Sequence, residues 1–298
     1  MKYETFKQNL IYELTRRTKE LGEIMIMYSK DNNGQTAEYL YLKRKDGSYS
    51  PKIAVKHIYD VCTCGECIGT ILKRLIAEMT VNAEDLNDNL IKDWNKARTC
   101  VYPKLINTRL NAEFLKGVPH KEILDLSAVY YIEIEGVCSG NKAYGLVNNS
   151  VFSSWKISLD SLHEESIKNL SAKKPALFGR ISMSGICFLG DLKDVTKEQL
   201  GEITSYELYF LTNEDSYAGA SYLCCPDILE DIKHMFGGDV VILPSSMHEF
   251  IVVKKDHRLS PENMAEIVRH INDVCIKPDE VLSESVYEYS GGELRIIA

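Results

Sequence analysis

The stretch ELYFLTNEDSYAGASYLCCPDILEDIKHMFGGDVVILPSSMHEFIVV, residues 207–253, decides the fold. Glu207 to Leu211 has the aromatic and aliphatic content of a strand, Asn213-Glu214-Asp215-Ser216 has turn chemistry, and Ala218 to Leu223 reads as the returning strand. Pro226 then opens a helix, because a proline at the first helical position has no N–H to leave unpaired. Ile228, Leu229, Ile232, Met235 and Phe236 recur at helical spacing, and Gly237-Gly238 supplies the left-handed residue that ends such a helix. Val240 to Leu243, the turn Pro244-Ser245-Ser246 and Glu249 to Val253 form a second hairpin. Hairpins alternating with amphipathic helices specify an antiparallel sheet with helices against it.

The same grammar extends outward. Ser260-Pro261 begins a helix carrying Met264, Ile267, Val268, Ile271, Val274 and Cys275 on one stripe. Upstream, Val129 to Ile134 and Ala143 to Val147 flank a turn at Gly136 to Asn141, and Ser158 caps a helix with Leu159, Leu162, Ile167 and Leu170. The chain opens with a helix carrying Phe6, Leu10, Leu14 and Leu21, followed by a hairpin, Ile24 to Tyr28 and Glu38 to Lys43, around Asp31-Asn32-Asn33-Gly34. Lys52 to Met79 is helical with an interruption at Cys62 to Gly65, and Ala83 to Ala97 reads as one more polar helix. The expected fold is therefore α+β: hairpin-helix (ββα-like) units repeated about four times, a mainly antiparallel sheet, and helices packed on one face. The expected division is 1–100 and 101–298, with the seam near 99–120, where Pro103, Gly117 and Pro119 interrupt the periodicity.

Composition narrows the function classes. Hydrophobic residues make up 45% of the chain and charged residues 26%, as in an ordinary globular protein. The net charge is −8 and the cations are scattered, which disfavours general nucleic-acid binding, since counterion release needs clustered Lys and Arg. No apolar run is long enough for a membrane span or a signal peptide. Nine cysteines without framework spacing fit reduced thiols in a cytoplasm.

Few motifs carry chemistry. Gly136-Val137-Cys138-Ser139-Gly140-Asn141-Lys142 lacks the spacing of a phosphate loop and lies between two strands, so it reads as a hairpin turn. Cys62, Cys64 and Cys67 are the densest thiol cluster; with Cys100 or His57 they would make a zinc set, and without a fourth ligand they are ordinary thiols beside a helix. Cys64 and Cys67 also have the spacing of a redox pair. Around Pro244, Ser245 and Ser246 precede His248 and Glu249. A catalytic His–Glu pair and a set of turn caps are both consistent with that order. Asn107, Asn111 and Asn213 complete a candidate ligand site with Ser245, Ser246, His248 and Glu249, or they serve their own turns.

Tyr3-x-x-Phe6, Leu105-Ile106-Asn107 with Asn111, Asp125-Leu126, Leu211-Thr212-Asn213, Gly219-Ala220, Leu243-Pro244-Ser245-Ser246-x-His248-Glu249 and Val281-Leu282-Ser283-x-x-Val286-Tyr287 resemble, in order and spacing, the clostridial family known as domain of unknown function 5688. The resemblance implies a bacterial Firmicute source and a cytoplasmic setting, and it assigns no activity, cofactor or catalytic residue. The functional expectation is a non-enzymatic binding or adaptor module for a protein or small molecule, with no cofactor. The alternative is a hydrolase or nuclease-like enzyme using His248 and Glu249 with a divalent metal, and a third reading is a zinc-stabilised scaffold.

Overall fold

The computed structural model describes residues 2–45, 50, 52–80, 91–138, 141–182, 185–201, 203–204, 207–255 and 259–298. The chain divides into two units, Met1–Ala97 with Ile132–Gly145, and Arg98–Tyr131 with Leu146–Ala298.

In the first unit, α1 (Tyr3–Thr18), the hairpin β1 (Gly22–Lys30) and β2 (Thr36–Arg44), the short β3 (Ile53–Ala54), α2 (Val55–Thr63) and α3 (Ile68–Thr80) surround one core. The expected stripe of α1 is buried at Phe6, Leu10 and Leu14, against Leu40 and Leu42 of β2, Ile58 of α2 and Leu75 of α3. The hairpin is in register from Gly22↔Arg44 to Lys30↔Thr36 and closes through Asp31, whose carboxylate accepts from the N–H of Asn32. The break between α2 and α3 falls at the glycine the sequence marks, with Gly65 at φ +106°. Of the polar helix expected over Ala83 to Ala97, residues 81–90 lie outside the described set; residues 91–92 are helical, Asp93 is not, and the separate short helix α4 (Trp94–Ala97) follows.

In the second unit come β4 (Val101–Asn107), α5 (Ala112–Leu115), β5 (His120–Ile123) and β6 (Leu126–Cys138), with β4 and β5 on either side of β6. Beyond Tyr131 the strand β6 belongs to the first unit, where β7 (Asn141–Leu146) pairs with it. The strand pair confirms the hairpin reading of Gly136 to Lys142, although Ser139 and Gly140 themselves lie outside the described residues. After α6 (Asn149–Trp155) and α7 (Leu159–Lys173), a seven-stranded antiparallel sheet follows. It comprises β8 (Ala176–Ser182), β9 (Gly185–Asp191), β10 (Leu208–Asn213), β11 (Val240–Leu243), β12 (Phe250–Lys254), β13 (Tyr287–Ser290) and β14 (Glu293–Ile296), in the order β14-β13-β11-β12-β10-β8-β9. The short α8 (Lys197–Leu200) lies between β9 and β10, α9 (Pro226–Phe236) between β10 and β11, and α10 (Pro261–Cys275) between β12 and β13. The α+β class with antiparallel pairing is thus observed.

Strand alternation sorts the side chains of this sheet onto two faces. Phe178, Tyr209, Leu211, Val240, Ile242, Phe250, Val252 and Tyr287 join Leu170 of α7 and Ile228, Leu229, Ile232 and Phe236 of α9 in the larger core. Val241, Val253 and Val286 pack on the opposite side against Met264 and Ala265 of α10. The helix caps act as their residues dictate: Ser158 accepts from Ser161 N–H, Ser260 from Asn263 N–H, and Gly237 ends α9 at φ +70°.

Three expectations are corrected. The helices are not confined to one face of the sheet, since α10 packs on the side opposite α9. Ala218 to Leu223 is not a strand: Ser216 (φ +47°) and Ala218 (φ +55°) are left-handed, the chain curls into a 3-10 turn at Gly219–Cys224, and β10 pairs with β12 and β8 instead. The stripe of α10 is rotated as well. Met264, Ala265, Val268 and Asn272 are buried while Ile267, Ile271, Val274 and Cys275 are exposed, because the Asn272 amide turns inward to donate to Ser283 O at 3.0 Å.

Candidate functional site

Strand β10 ends on Thr212 and Asn213, and the amide of Asn213 folds the chain back on itself. Its Oδ1 accepts from Tyr217 N–H at 3.2 Å and its Nδ2 donates to Tyr217 O at 2.8 Å. This pair of hydrogen bonds holds Tyr217 between two left-handed residues, a conformation non-glycine residues adopt only where the surroundings impose it. Gly219 follows, and its missing side chain lets the turn lie against residues 245–249. Thr212 Oγ1 donates to His248 O at 2.8 Å, and Ala220 N–H to Met247 O at 3.3 Å.

The 245–249 turn is held from its other side by residues 280–283. Met247 N–H donates to Glu280 O, Leu282 N–H to Ser245 O and Ser283 N–H to Pro244 O. Asn107 Nδ2 reaches the same segment, donating to Leu282 O at 3.0 Å, while its Oδ1 accepts from Leu110 N–H. Asn111 Nδ2 in turn donates to Asn107 O. Below them Asp125 accepts from the hydroxyls of Ser283 at 2.6 Å, Ser285 at 3.1 Å and Tyr287. Burial, with the Asp125 carboxylate beside it, pushes the Tyr287 hydroxyl well above its ordinary range, so it stays a donor. We expect Asp125→Ala to cost about 2 kcal/mol, by stranding the buried tyrosine hydroxyl. Urea unfolding checks this: Tyr287→Phe in the Asp125→Ala background should cost little more, and independent additive losses would refute the coupling.

The seven residues singled out in the sequence therefore all lie in the second unit, around the contact of three segments. Their roles differ. Asn107, Asn111 and Asn213 serve the backbone of their neighbourhood, as Asn in turns commonly does. Ser245 lends its carbonyl to Leu282. Ser246 Oγ accepts from His248 N–H at 3.0 Å and bonds the Glu249 carboxylate. His248 and Glu249 are half-buried, and no hydrogen bond joins them.

The carboxylate that faces the imidazole is Glu280, with Oε1 3.8 Å from His248 Nε2 and held by Lys277 Nζ at 2.9 Å. On the other side, the Tyr217 ring lies 5.8 Å from the imidazole, tilted by 42°. Lys104 of β4 donates to the Tyr217 hydroxyl at 3.3 Å. Lys104, Tyr217 and Glu280 escape a linear reading because they come from a strand, a curled turn and a distant loop, none with a recognisable spacing to His248.

The ring itself is oriented by the backbone. Ala218 N–H donates to His248 Nδ1 at 3.3 Å, so Nδ1 carries the lone pair and the neutral ring has its proton on Nε2. Burial lowers the His248 pKa; Lys104 and Lys277 lower it further, against the pull of Glu280 and Asp279. Burial raises the Glu249 carboxyl, Ser246 opposes that shift and Glu280 adds to it. Among the described residues, no three His, Cys, Asp or Glu side chains gather in an arrangement able to hold a metal ion. Cys62 lies in α2, Cys64 ends that helix and Cys67 precedes α3, the last two exposed.

A family model described as a family of unknown function, DUF5688, matches residues 3–291. The chain belongs to that family. No curated protein and no solved structure matches it. Of the segments that carried the resemblance to DUF5688, those from Leu105 to Tyr287 include Asn107, Asn111, Asp125, Thr212, Asn213, Ser245, Ser246, His248, Glu249, Leu282, Ser283 and Tyr287 of the network just described, whereas Lys104, Leu110, Tyr217, Ala218, Met247, Ser285 and the residues 277–280 fall outside the quoted positions.

Proposed function

We propose that the chain is a binding module without chemistry of its own, and that the turn bearing His248 is its recognition surface. One observation carries the reading: the backbone occupies the Nδ1 lone pair of His248, so the proton of the neutral ring is on Nε2. A general base needs a lone pair within reach of the proton it removes. In His248 the lone pair is on Nδ1 and is taken by Ala218 N–H. Nε2–H is a donor, suited to holding a ligand acceptor.

No hydroxyl is hydrogen-bonded to the ring among the described residues, so a nucleophile–base pair is not assembled there. The partner is a protein or a small molecule presenting acceptors to this turn. We place the module in a bacterial cytoplasm, a reading supported by the free thiols of the described cysteines. No helix among the described residues is long and apolar enough to cross a membrane.

The test has two parts. In histidine-labelled protein the His248 ring, assigned by its loss in His248→Gln, should show the Nε2–H tautomer at neutral pH. Phosphoester and peptide panels with Mg²⁺ or Mn²⁺ should show no turnover. Turnover that disappears in a folded His248→Ala variant would overturn the proposal and favour the hydrolase alternative.

A further inference from the structure

Lys104 is a half-buried cation without a carboxylate in ion-pair reach among the described residues; it meets the neutral side chain of Tyr217, donating to the hydroxyl at 3.3 Å and lying 5.2 Å from the ring centroid. Other covered lysines of this chain are compensated. Lys7 pairs with Glu38 at 2.9 Å, Lys174 with Asp215 at 2.8 Å and Lys233 with Asp239 at 3.4 Å. Removing an ammonium from water without a counter-charge is costly, and a site that accepts the cost is poised for an anion.

The neighbours of Lys104 extend the same polarity. The Tyr217 hydroxyl accepts from the lysine, its ring lies 5.8 Å from the imidazole, and the neutral imidazole carries its proton on Nε2. Glu280, whose Oε1 is 3.8 Å from Nε2, is paired with Lys277 and so partly neutralised.

We infer that Lys104, with Tyr217 and His248, receives an oxyanion of the ligand, a carboxylate or a phosphate. The inference rests on the binding reading above and names the chemical class of its ligand. Lysine acts here as a point charge and the imidazole N–H as a directional donor, which is how charge-assisted bonds gain both strength and orientation.

The experiment is a titration of the histidine-labelled 298-residue chain with sodium phosphate in one arm and sodium acetate in the other, replacing chloride at constant ionic strength. In at least one arm the His248 resonance should shift to saturation, and the arm that saturates identifies the anion. Lys104→Met should weaken that binding about tenfold, and Lys104→Arg should largely retain it. Urea midpoints confirm that both variants fold, with Lys104→Gln as replacement if the methionine variant does not. Failure to saturate in both arms, or an unchanged curve in the folded Lys104 variant, overturns the inference. In either case the tautomer and turnover measurements still decide the binding reading independently.

Discussion

Replacing Gly219 with alanine is expected to destabilise the protein by about 3 kcal/mol, the upper end of what overpacking costs. A Cβ at that position would lie 2.3 Å from His248 O, 2.8 Å from Thr212 Oγ1 and 2.9 Å from Thr212 Cα. Two of those atoms are backbone, and no rotamer change moves them. Relief requires parting the 212–219 turn from the 245–249 turn. That parting breaks the Thr212 hydroxyl bond to His248 O and draws Ala218 N–H away from the imidazole. Urea unfolding measures the loss, and the His248 ring resonance should move in the same variant. Gly238→Ala is the matched control, since a Cβ there meets nothing within 4 Å. Equal midpoints for the two variants would show that the close approach is not needed.

Acid should weaken the fold through His163. This side chain of α7 is 8% exposed, and its Nδ1 is 3.0 Å from the Tyr130 hydroxyl. Burial pushes its pKa down to about 4, Lys121 helps, and Asp160 opposes. The folded state therefore refuses a proton that the unfolded chain accepts near its ordinary pKa of about 6.5. The resulting stability is fully present above that pH and is lost as the pH falls toward 4. Across the window the loss is about 3 kcal/mol. His248, whose pKa is also lowered, adds to it in the same direction. Denaturant midpoints followed from neutral to acid pH should fall more steeply for the native chain than for His163→Gln, which has no imidazole to protonate. Parallel curves would remove His163 from the account.

Local chemistry made much of the fold legible. Pro226, Gly237, Ser158 and Ser260 mark helix ends that the structure reproduces, because capping depends on a few adjacent residues. The turn at Ser216 to Ala218 was not legible. Its left-handed residues are a serine and an alanine, held there by Asn213 and by the turn they oppose, so no glycine announces the curl. The face of α10 was misread for a related reason: Asn272 counts as polar in a periodicity but is buried, because Ser283 O is its acceptor.

In the candidate site, the Pro244 to Glu249 turn stood out in the sequence by the unusual order of its residues, and the structure places it in contact with residues 212–220 and 280–283. The adjacency of His248 to Glu249 in sequence suggested a pair that the structure does not form. Glu280 faces the ring instead, brought there by the backbone bond of its own carbonyl to Met247 N–H.

The assignment of residues 132–145 to the first unit has a consequence for how the chain matures. On a ribosome, the first 97 residues emerge without the β6–β7 hairpin that belongs with them, and β4, α5 and β5 of the other unit emerge before it. Neither unit can be completed as an uninterrupted nascent segment. The earlier one must wait in a partial state until Gly145 is synthesised, so the two units acquire their final structure interleaved rather than one after the other.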